Sequence, residues 1–386
     1  MQRHIVHCDL DTFFVSVERL LNSNLNNKPV LIGGSSDRGV VASCSYEARK
    51  FGIHSAMPMR LALRLCPEAT VVRGDHDLYS KYSGIVTEII EEYTPVVEKA
   101  SIDEHYLDLS GMDRYFGCWK WTRELRQRII RETGLPISFG LSTSKTVSKI
   151  ATSEAKPCGE WQVARGTEKA FLAPLSIRKI PMVGEKSYTL LRNMGVHRIH
   201  TLQEMEAFTM RRVMGENGVT IWRKANGEDN TPVVPFHEQK SMSKETTFQQ
   251  DTIDMDFLKR TLASMVDKLA FDLRREQKLT GCLTLKIRYS NFDTHTRQVK
   301  VPYTNSEKAI TDKVMTVFRD LYSRRMLIRL IGVRFSNLIH GSYQVDLFND
   351  TREEISLMEA MDRIRTRYGI ELIQRGISLK DAAQPA

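Results

Sequence analysis

The feature that most constrains this chain is an order of strands and helices that occurs twice along it. Between residues 4 and 142, apolar runs of strand length and segments of helical periodicity follow the order strand, helix, strand, strand, helix, strand. The same order returns between residues 241 and 340, although no sequence repeat relates the two segments. A βαββαβ order is typical of the ferredoxin-like plan, in which helices pack on one sheet. The pattern predicts a multidomain α+β protein, for which 386 residues are ample.

The first βαββαβ segment carries a long insertion. Its predicted elements are a strand over 4–10, a helix over 76–94, a hairpin that turns near Asp103, a helix over 119–133 and a strand over 136–142. Residues 12–75 therefore interrupt the unit after its first strand. Between the two units, residues 166–235 contain IPMVGEKSYTLLRNMG and VMGENGVTIWRKANG, each of which pairs glycines with a short helix. The proline-bearing segment TPVVPFHEQK then reads as a linker.

Composition excludes several classes of protein. Hydrophobic residues make up 41% and charged residues 27% of the chain, as in an ordinary soluble globular protein. Its beginning lacks the apolar run of a signal peptide, and no stretch approaches the roughly 20 apolar residues of a membrane span. The six cysteines are scattered without a CxxC pair, which argues against a zinc site or disulfide framework and favours a reducing cytoplasm.

The positive charge of the chain is concentrated in the second unit. Residues 241–340 hold 18 Lys or Arg against 11 Asp or Glu, which is +7 of the net +9. A basic segment favours a polyanionic partner, most plausibly nucleic acid, but a solvated basic surface accounts for the charge equally well. Charge alone leaves the two interpretations open.

An acidic cluster is predicted where the first strand passes the hairpin. The first and third strands of a βαββαβ unit are adjacent, so Asp9 in CDLD should face Asp103 and Glu104 in SIDEHYLDLS, with Asp11 close by. Converging carboxylates need cations, and oxygen-only ligands suit Mg²⁺. Two such ions support in-line phosphoryl transfer. The same residues are also compatible with an acidic pair that caps an exposed hairpin, or with a nucleotidyl cyclase.

Four sequence blocks resemble a known family. HCDLDTFFVSVE, SYEARKFGI, SIDEHYLDLS and GLSTSKTVSKIATSEAKPCG, in this order, are similar to the Y-family translesion DNA polymerases, and most similar to the DNA polymerase IV type. The resemblance runs from about residue 4 to about residue 375. It implies a right-hand polymerase with a palm over 1–11 and 76–165, fingers over 12–75, a helix-hairpin-helix thumb over 166–235, a βαββαβ little finger over 236–342, and a clamp-binding peptide and tail over 343–386.

The resemblance also implies roles for single residues of the catalytic site. Asp9, Asp103 and Glu104 match acidic residues that bind metal and act in catalysis, and Leu10 matches a ligand through its backbone carbonyl. The nucleotide-binding positions are Phe14 as the steric gate against a 2′-hydroxyl, its neighbour Phe13, which is expected to pack in the interior, and the triphosphate-binding Tyr46, Arg49 and Lys156. The cofactor implied is a pair of Mg²⁺ ions.

Further positions are implied to bind DNA or a protein partner. Gly184 lies in the turn of IPMVGEKSYTLLRNMG, where backbone N–H groups can hold a phosphate. Lys244, Arg288, Arg297 and Arg334 are candidate phosphate contacts of the little finger. YQVDLF, with Gln344, Leu347 and Phe348, resembles the peptide that docks on the sliding clamp. The expected partners are primer-template DNA, deoxynucleoside triphosphates and the clamp, for a monomeric cytoplasmic enzyme.

Three positions depart from the pattern of the family. His105 replaces a small residue and is expected to point outward from its strand, or toward the template or the triphosphate. Cys158 stands where asparagine is usual, and Thr12 is unusual in its block. None of the three removes a metal ligand.

The short insertion predicts a roomy, error-prone active site, and no segment is left for a proofreading exonuclease. Two alternatives stay open. A nucleotidyl cyclase would share the palm but would not need the glycine motifs, the basic second unit or the clamp peptide. A catalytically inactive DNA-binding scaffold would be expected to lack an acidic ligand.

Overall fold

A computed structural model describes residues 3–34, 36, 38–112, 117–341, 352–370, 372–373 and 376. The chain divides into two compact units, Met1–His237 and Glu238–Ala386, so the boundary lies close to the start predicted for the little finger. Both units combine helices with a β-sheet, which confirms the predicted α+β class. Among the described residues, no helix has the length and apolar character needed to cross a bilayer.

The elements of the first unit follow the predicted order and add those of the insertion. In chain order they are β1 (Ile5–Leu10), α1 (Phe13–Leu21), β2 (Val30–Gly33), β3 (Val41–Cys44), α2 (Tyr46–Arg49), α3 (Met59–Leu65), β4 (Thr70–Val72), α4 (His76–Tyr93), β5 (Val97–Lys99), β6 (Glu104–Asp108), α5 (Cys118–Thr133), β7 (Ile137–Ser142), α6 (Lys145–Ala155), β8 (Glu160–Gln162), α7 (Glu168–Leu172), α8 (Glu185–Asn193), α9 (Ile199–Glu204) and α10 (Ala207–Ala225).

The main sheet of this unit has the order β5-β6-β1-β7-β8. Strand β1 lies between β6 and β7 and is antiparallel to both, as the ferredoxin-like plan predicts, and β8 adds a parallel strand beside β7. Helix α6 covers the face that carries His7, where the Thr152 side chain contacts the imidazole ring. Apolar residues of α4 and α5 share a core with Cys8 on the other face. Both faces of the sheet are therefore covered by helices.

The insertion after β1 has two parts. Helix α1 buries Phe13, Val15 and Val17 in the core of the main sheet. Strands β2, β3 and β4 form a small separate sheet in the order β3-β2-β4, and α2 and α3 pack with it around a core of their own. The insertion thus begins on the main sheet, and strand β2 contributes buried residues to both cores.

The helical segment between the sheets forms its own core, to which α6 to α10 contribute. Gly184 is the N-cap of α8, in extended backbone with φ −81° and ψ −179°. No side chain accepts a hydrogen bond from the first backbone N–H groups of this helix. Helix α10 is interrupted at Gly215, whose φ of 64° lies in the left-handed region that glycine adopts readily.

The second unit contains β9 (Ser241–Thr252), α11 (Met255–Arg275), β10 (Lys278–Tyr289), β11 (Thr294–Thr304), α12 (Glu307–Leu321), β12 (Ile328–His340) and α13 (Arg352–Tyr368). The predicted βαββαβ order is confirmed, but the strand order is β11-β10-β12-β9, with the first strand at the edge. Helices α11 and α12 supply the apolar core against the sheet. The two units therefore share an element order and differ in sheet topology.

The C-terminal helix α13, predicted from its amphipathic pattern, is tied to the second unit by buried charges. The side chains of Arg365 and Glu307 are both 1% exposed and form an ion pair, and Arg274 also binds Glu307, at 2.7 Å. Asp362 of α13 accepts two hydrogen bonds from the Arg274 guanidinium. The predicted clamp-binding residues Gln344, Leu347 and Phe348 lie outside the described residues.

Candidate active site

The strand register brings the predicted acidic residues together. Asp9 is the direct cross-strand partner of Glu104 in the antiparallel pair of β1 and β6. One residue further, the Leu10 N–H donates a 3.0 Å hydrogen bond to the carbonyl of Asp103. Because directly opposed residues of antiparallel strands point to the same face, Asp9 and Glu104 share one face of the sheet. The predicted meeting of the first strand and the acidic hairpin is confirmed.

Lysines neutralise two of these carboxylates. Lys156, which follows α6, binds Asp9, and Lys149 of α6 binds Glu104. In the part of the chain that the structure describes, no group of three or more His, Cys, Asp and Glu side chains is arranged to hold a metal ion. The backbone thus brings the acids together as predicted, but the side chains of Asp9 and Glu104 pair with ammonium groups. Neutralisation by metal ions alone was predicted from the sequence.

Burial and charge shift the pKa values of the two acids in opposite directions. Burial raises the pKa of Asp9 to about 6, with a further contribution from the nearby Glu104 and Asp103, and Lys156 only partly offsets it. Burial also favours neutral Glu104, but His7 and Lys149 together lower its pKa to about 2. The His7 Nε2 atom lies 3.6 Å from Glu104 Oε2, too far for a good hydrogen bond, so Lys149 is the stronger partner. Asp9 is therefore the acid that most needs additional positive charge.

His105 does not point outward or toward a template, as the sequence analysis expected. Its side chain is fully buried, and Nε2 contacts the Thr87 hydroxyl of α4 at 2.9 Å. Side chains alternate along β6, so His105 faces α4 while Glu104 faces α6. Burial lowers the pKa of His105 to about 4, which keeps the ring neutral. The expectation was wrong because it left the covering helix α4 out of account.

A cavity of about 150 Å³ opens beside the acids. Its lining includes Asp9, Leu10, Asp103, Phe14, Arg49 and Lys156, so residues predicted to bind metal, sugar and triphosphate surround one space. Phe14 is partly exposed, whereas Phe13 is 3% exposed and belongs to the core, as expected from the sequence. Cationic and apolar groups thus lie around one acidic corner.

Tyr46 lies near the cavity but uses its hydroxyl group within the protein. The phenol donates a 3.2 Å hydrogen bond to Asp11 Oδ1, and burial, followed by the Asp11 charge, raises the pKa of the phenol. The Arg49 guanidinium lies over the Tyr46 ring, 5.0 Å from its centroid. Both residues belong to the short helix α2, whose Ser45 cap fixes their positions.

Two family matches to known proteins lie one in each of the two compact units. Residues 8–153 match the impB/mucB/samB family, and residues 239–347 match the C-terminal domain of that family. The chain is 37% identical to a DNA polymerase IV of Dehalococcoides mccartyi over 98% of both chains. It is 36% identical to a DNA polymerase IV of Listeria innocua over 87% of this chain and 95% of that one. This chain belongs to the Y family of DNA polymerases, DNA polymerase IV type.

A solved structure supports the fold of this Y-family polymerase. A Y-family DNA polymerase chimera of Dbh and Dpo4 matches it with a TM-score of 0.77 at 23% identity, over 88% of this chain and all of the other. As a member of this family, the protein is a DNA-directed DNA polymerase. The right-hand polymerase fold inferred from the sequence is confirmed.

The candidate DNA-binding residues of the polymerase fall on two different faces of the second sheet. Lys244 and Arg297 occupy one cross-strand row with buried Val333 and Leu285, so they point to the helix-covered face. Lys244 pairs with Asp272 of α11 at 3.7 Å. Arg297 likewise pairs with Asp320 of α12, at 3.5 Å.

Arg288 and Arg334 lie on the face of this sheet opposite to the one on which α11 and α12 pack. Arg334 is opposed by Thr284 and Ser243, and Arg288 alternates in phase with Thr284 along β10. Arg334 is exposed, and Arg288 donates only to the Thr294 hydroxyl among the contacts described. A basic residue count could not distinguish the two faces, because it ignores the register between strands.

Lys149 and Tyr79 were not singled out from the sequence, and Asp11 was predicted only to lie close to the acidic cluster. Lys149 binds Glu104, Asp11 binds Tyr46, and Tyr79 stacks on Phe14. Lys149 and Lys156 lie seven residues apart, about two turns of a helix, so their spacing was a usable signal that α6 and the residue that follows it carry both lysines on one side. Nothing local to the sequence connects Tyr79 with Phe14, which lie 65 residues apart.

Proposed function

We propose that this Y-family polymerase is a template-directed, error-prone enzyme that carries out translesion synthesis by two-metal nucleotidyl transfer, without a proofreading exonuclease. The observation that supports this most directly is that Asp9, the cross-strand partner of Glu104, lines one cavity together with Asp103, Phe14 and Lys156. Acidic, apolar and cationic groups in one space suit a metal-bound deoxynucleoside triphosphate. The small β2-β3-β4 subdomain suits a loosely checked site.

The residues present fit a pair of Mg²⁺ ions. Asp9, Asp103, Glu104 and the carbonyl of Leu10 are oxygen donors, the donor type that Mg²⁺ prefers. The pKa of Asp9 is raised, and Asp9 and Glu104 each pair with a lysine, so this end of the sheet favours added positive charge. When bound, the ions neutralise the triphosphate and acidify the primer hydroxyl.

The other groups around the cavity bind and orient the nucleotide. In the reaction the primer 3′-oxygen bonds to the α-phosphorus, and the bond to the bridging oxygen breaks to release pyrophosphate. Arg49 and Lys156 are placed to bind the departing phosphates, together with Tyr46. The Phe14 ring excludes a ribose 2′-hydroxyl, and Phe13 supports it from the core. Charge on the phosphates is thus balanced by residues of the fingers and palm.

The domain roles follow the same proposal. The five-stranded sheet with α4 to α6 is the palm (1–11 and 76–165), the insertion 12–75 is the fingers, the helical segment 166–235 is the thumb, 236–342 is the little finger, and 343–386 is the clamp-binding tail. Gly184 holds a DNA phosphate at the start of α8, and Arg288 and Arg334 bind the backbone from the open face of the little finger. Gln344, Leu347 and Phe348 dock on a sliding clamp. The enzyme acts as a cytoplasmic monomer.

Primer extension with Mg²⁺ tests the proposal. Template-dependent incorporation by the wild type, lost in Asp103→Ala and kept in Asp108→Ala at the far end of β6, is the expected result. Formation of a cyclic nucleotide without template, or DNA binding without incorporation, would overturn it. A mismatched primer end should persist without excision. Leu347→Ala with Phe348→Ala should abolish clamp stimulation but keep basal synthesis.

A further inference from the structure

Asp11 is a buried carboxylate that lies next to the catalytic corner and is not part of the proposed metal-binding set. It is 1% exposed and follows β1 directly. Its own backbone is fixed on both sides, because its N–H donates to the Pro136 carbonyl at 2.8 Å and its carbonyl accepts from the Ser16 hydroxyl at 2.7 Å. The next residue, Thr12, has a φ of 43°, a conformation that is uncommon for a residue with a side chain. The backbone therefore aims this carboxylate in one direction.

The Asp11 carboxylate joins three separate segments of the first unit. Oδ2 accepts from the Ser138 hydroxyl at 2.7 Å and from the Cys158 N–H at 2.6 Å, and Oδ1 accepts from the Tyr46 hydroxyl at 3.2 Å. Lys156 Nζ lies 3.8 Å from Oδ1. One carboxylate thus contacts the fingers, strand β7 and the loop after α6.

The loop after α6 is bound by this carboxylate, and also by Arg126, Ser138 and Phe139. Ser138, which donates to Asp11, accepts a hydrogen bond from the Gly159 N–H at 3.1 Å. The backbone of residues 158 and 159 is therefore bound to Asp11 directly and through Ser138. Lys156 lies two residues before the first of these anchors, so its ammonium group is positioned from its own loop.

We propose that Asp11 is a positioning residue that holds Tyr46 and the Lys156 loop in the arrangement that binds the triphosphate of the incoming nucleotide. The inference rests on the proposed function, since it assigns Tyr46 and Lys156 to that triphosphate. An ionised carboxylate only accepts hydrogen bonds, and here it receives them from three donors. It orders the Tyr46 phenol and the loop that carries Lys156 before the nucleotide arrives. Pre-organisation of this kind lowers the cost of binding.

The variant Asp11→Asn removes one acceptor and keeps the shape of the side chain. The Cys158 N–H cannot become an acceptor, so the amide oxygen is expected to stay on the Oδ2 side and the NH₂ group to turn toward Tyr46 and Lys156. Tyr46 then changes from donor to acceptor, and Lys156 loses its attraction to Oδ1. The disturbance therefore falls on the two groups assigned to the triphosphate, while the loop keeps its anchor.

Single-turnover incorporation on a primer-template separates the apparent nucleotide Kd from the maximal rate. Asp11→Asn is expected to raise the apparent Kd by about 5- to 100-fold and to change the maximal rate much less. Tyr46→Phe should raise Kd as well, and the double variant should raise it by less than the product of the two factors. Primer-template affinity and the melting temperature serve as checks on folding. Asp108→Asn is the control, since that carboxylate also accepts a backbone N–H, that of Ser110, but far from the cavity.

The outcomes distinguish the inference from the proposed function. If wild type does not extend a primer, the proposed function fails. If wild type is active and Tyr46→Phe weakens nucleotide binding, but Asp11→Asn leaves Kd unchanged or lowers it, only the role of Asp11 is overturned. The role of Asp11 is overturned as well if the double variant raises Kd by the product of the two single factors. Should Asp11→Asn not fold, Ser138→Ala decides the question, with a smaller rise in Kd supporting the role and an unchanged Kd contradicting it.

Discussion

The Phe14 ring lies parallel to the Tyr79 ring, with centroids 4.2 Å apart and an angle of 12° between the planes. Tyr79 is itself held in place, because its hydroxyl donates a 2.6 Å hydrogen bond to Glu18 and the residue is 1% exposed. His76 contacts the edge of Phe14 from the same helix, at 5.6 Å between centroids. The ring of the proposed sugar gate thus belongs to α1 but also packs against two residues of α4, which help to fix its position.

Phe14→Ala should relax the selection against ribonucleotides. Removal of the ring opens space for a 2′-hydroxyl, and the ratio of kcat/KM for deoxy- over ribonucleotide should fall by about 100-fold. Steady-state incorporation with matched dNTP and rNTP measures this ratio. Tyr79→Leu should relax it more weakly, since the gate remains but loses its stacking partner. Phe51→Ala, at a ring that is 44% exposed, should leave the ratio unchanged. Unaltered selection in Phe14→Ala would place the gate elsewhere.

Lys149→Met should destabilise the enzyme in the absence of divalent ions. Glu104 then loses the ammonium group that it contacts, and its partly buried charge is left with the more distant His7. We expect the free energy of unfolding in EDTA to fall by about 1–3 kcal/mol. Added Mg²⁺ should raise the melting temperature of the variant more than that of wild type. Lys120→Met, at a side chain that is 80% exposed, provides the matched control. If Mg²⁺ raised the melting temperatures of Lys149→Met and of wild type equally, the idea that Lys149 occupies a place suited to a cation would be contradicted.

Arg288→Ala and Arg334→Ala should weaken DNA binding, whereas Lys244→Ala and Arg297→Ala should not. The first pair lies on the face of the sheet opposite to α11 and α12, and the second pair binds acidic residues of those two helices. Each lost phosphate contact reduces the slope of log K against log salt concentration by about 1. Fluorescence anisotropy with a labelled primer-template at several salt concentrations tests all four variants. A larger loss for the second pair would show that the other face binds DNA.

Arg365→Met should release α13 from the second unit. Arg365 shares the buried Glu307 with Arg274, and its loss leaves that carboxylate with one cation in place of two. A loss on the order of 3 kcal/mol in local stability is expected. Hydrogen exchange of the α13 amides is the direct measurement, with Arg363→Met on an exposed position of the same helix as the control. Unchanged exchange would mean that apolar contacts alone hold the helix.

The attachment of α13 should also weaken in acid. Burial favours neutral Glu307, but Arg274 and Arg365 outweigh it and lower the pKa of Glu307 below its ordinary value. A carboxyl group with a lowered pKa in the folded state contributes stability above its unfolded pKa, near 4.3, and this stability is lost as the pH falls further. Exchange of the α13 amides, corrected for intrinsic rates, should therefore accelerate below about pH 4.3. In Glu307→Gln the helix should be less protected at neutral pH and the acid-dependent step should become smaller, since the pair of Asp362 with Arg274 remains.

The order of elements and the identity of the acidic residues were predictable from the sequence because both depend on local pattern. Helical periodicity predicted α4, α5 and α13, and the CDLD and SIDE motifs identified Asp9, Asp103 and Glu104. The residues Tyr46, Arg49 and Lys156 were found through motifs, and their position at or beside one cavity agrees with that assignment. Local sequence pattern was sufficient to predict a feature wherever the neighbours of a residue in sequence determine its environment.

What the sequence determined by itself is the set of elements and the candidate active-site side chains, since period-2 and period-3.6 patterns and short motifs can be recognised along the chain. Only the tertiary structure decided which side chains meet. His105 is buried because α4 covers its face, Lys244 and Arg297 turn to the helices because of strand register, and Lys149 and Asp11 join the site because α6 and β7 pack beside β1. These pairings depend on the packing of segments that are distant in sequence. No local pattern records which face of a sheet a neighbouring helix will cover.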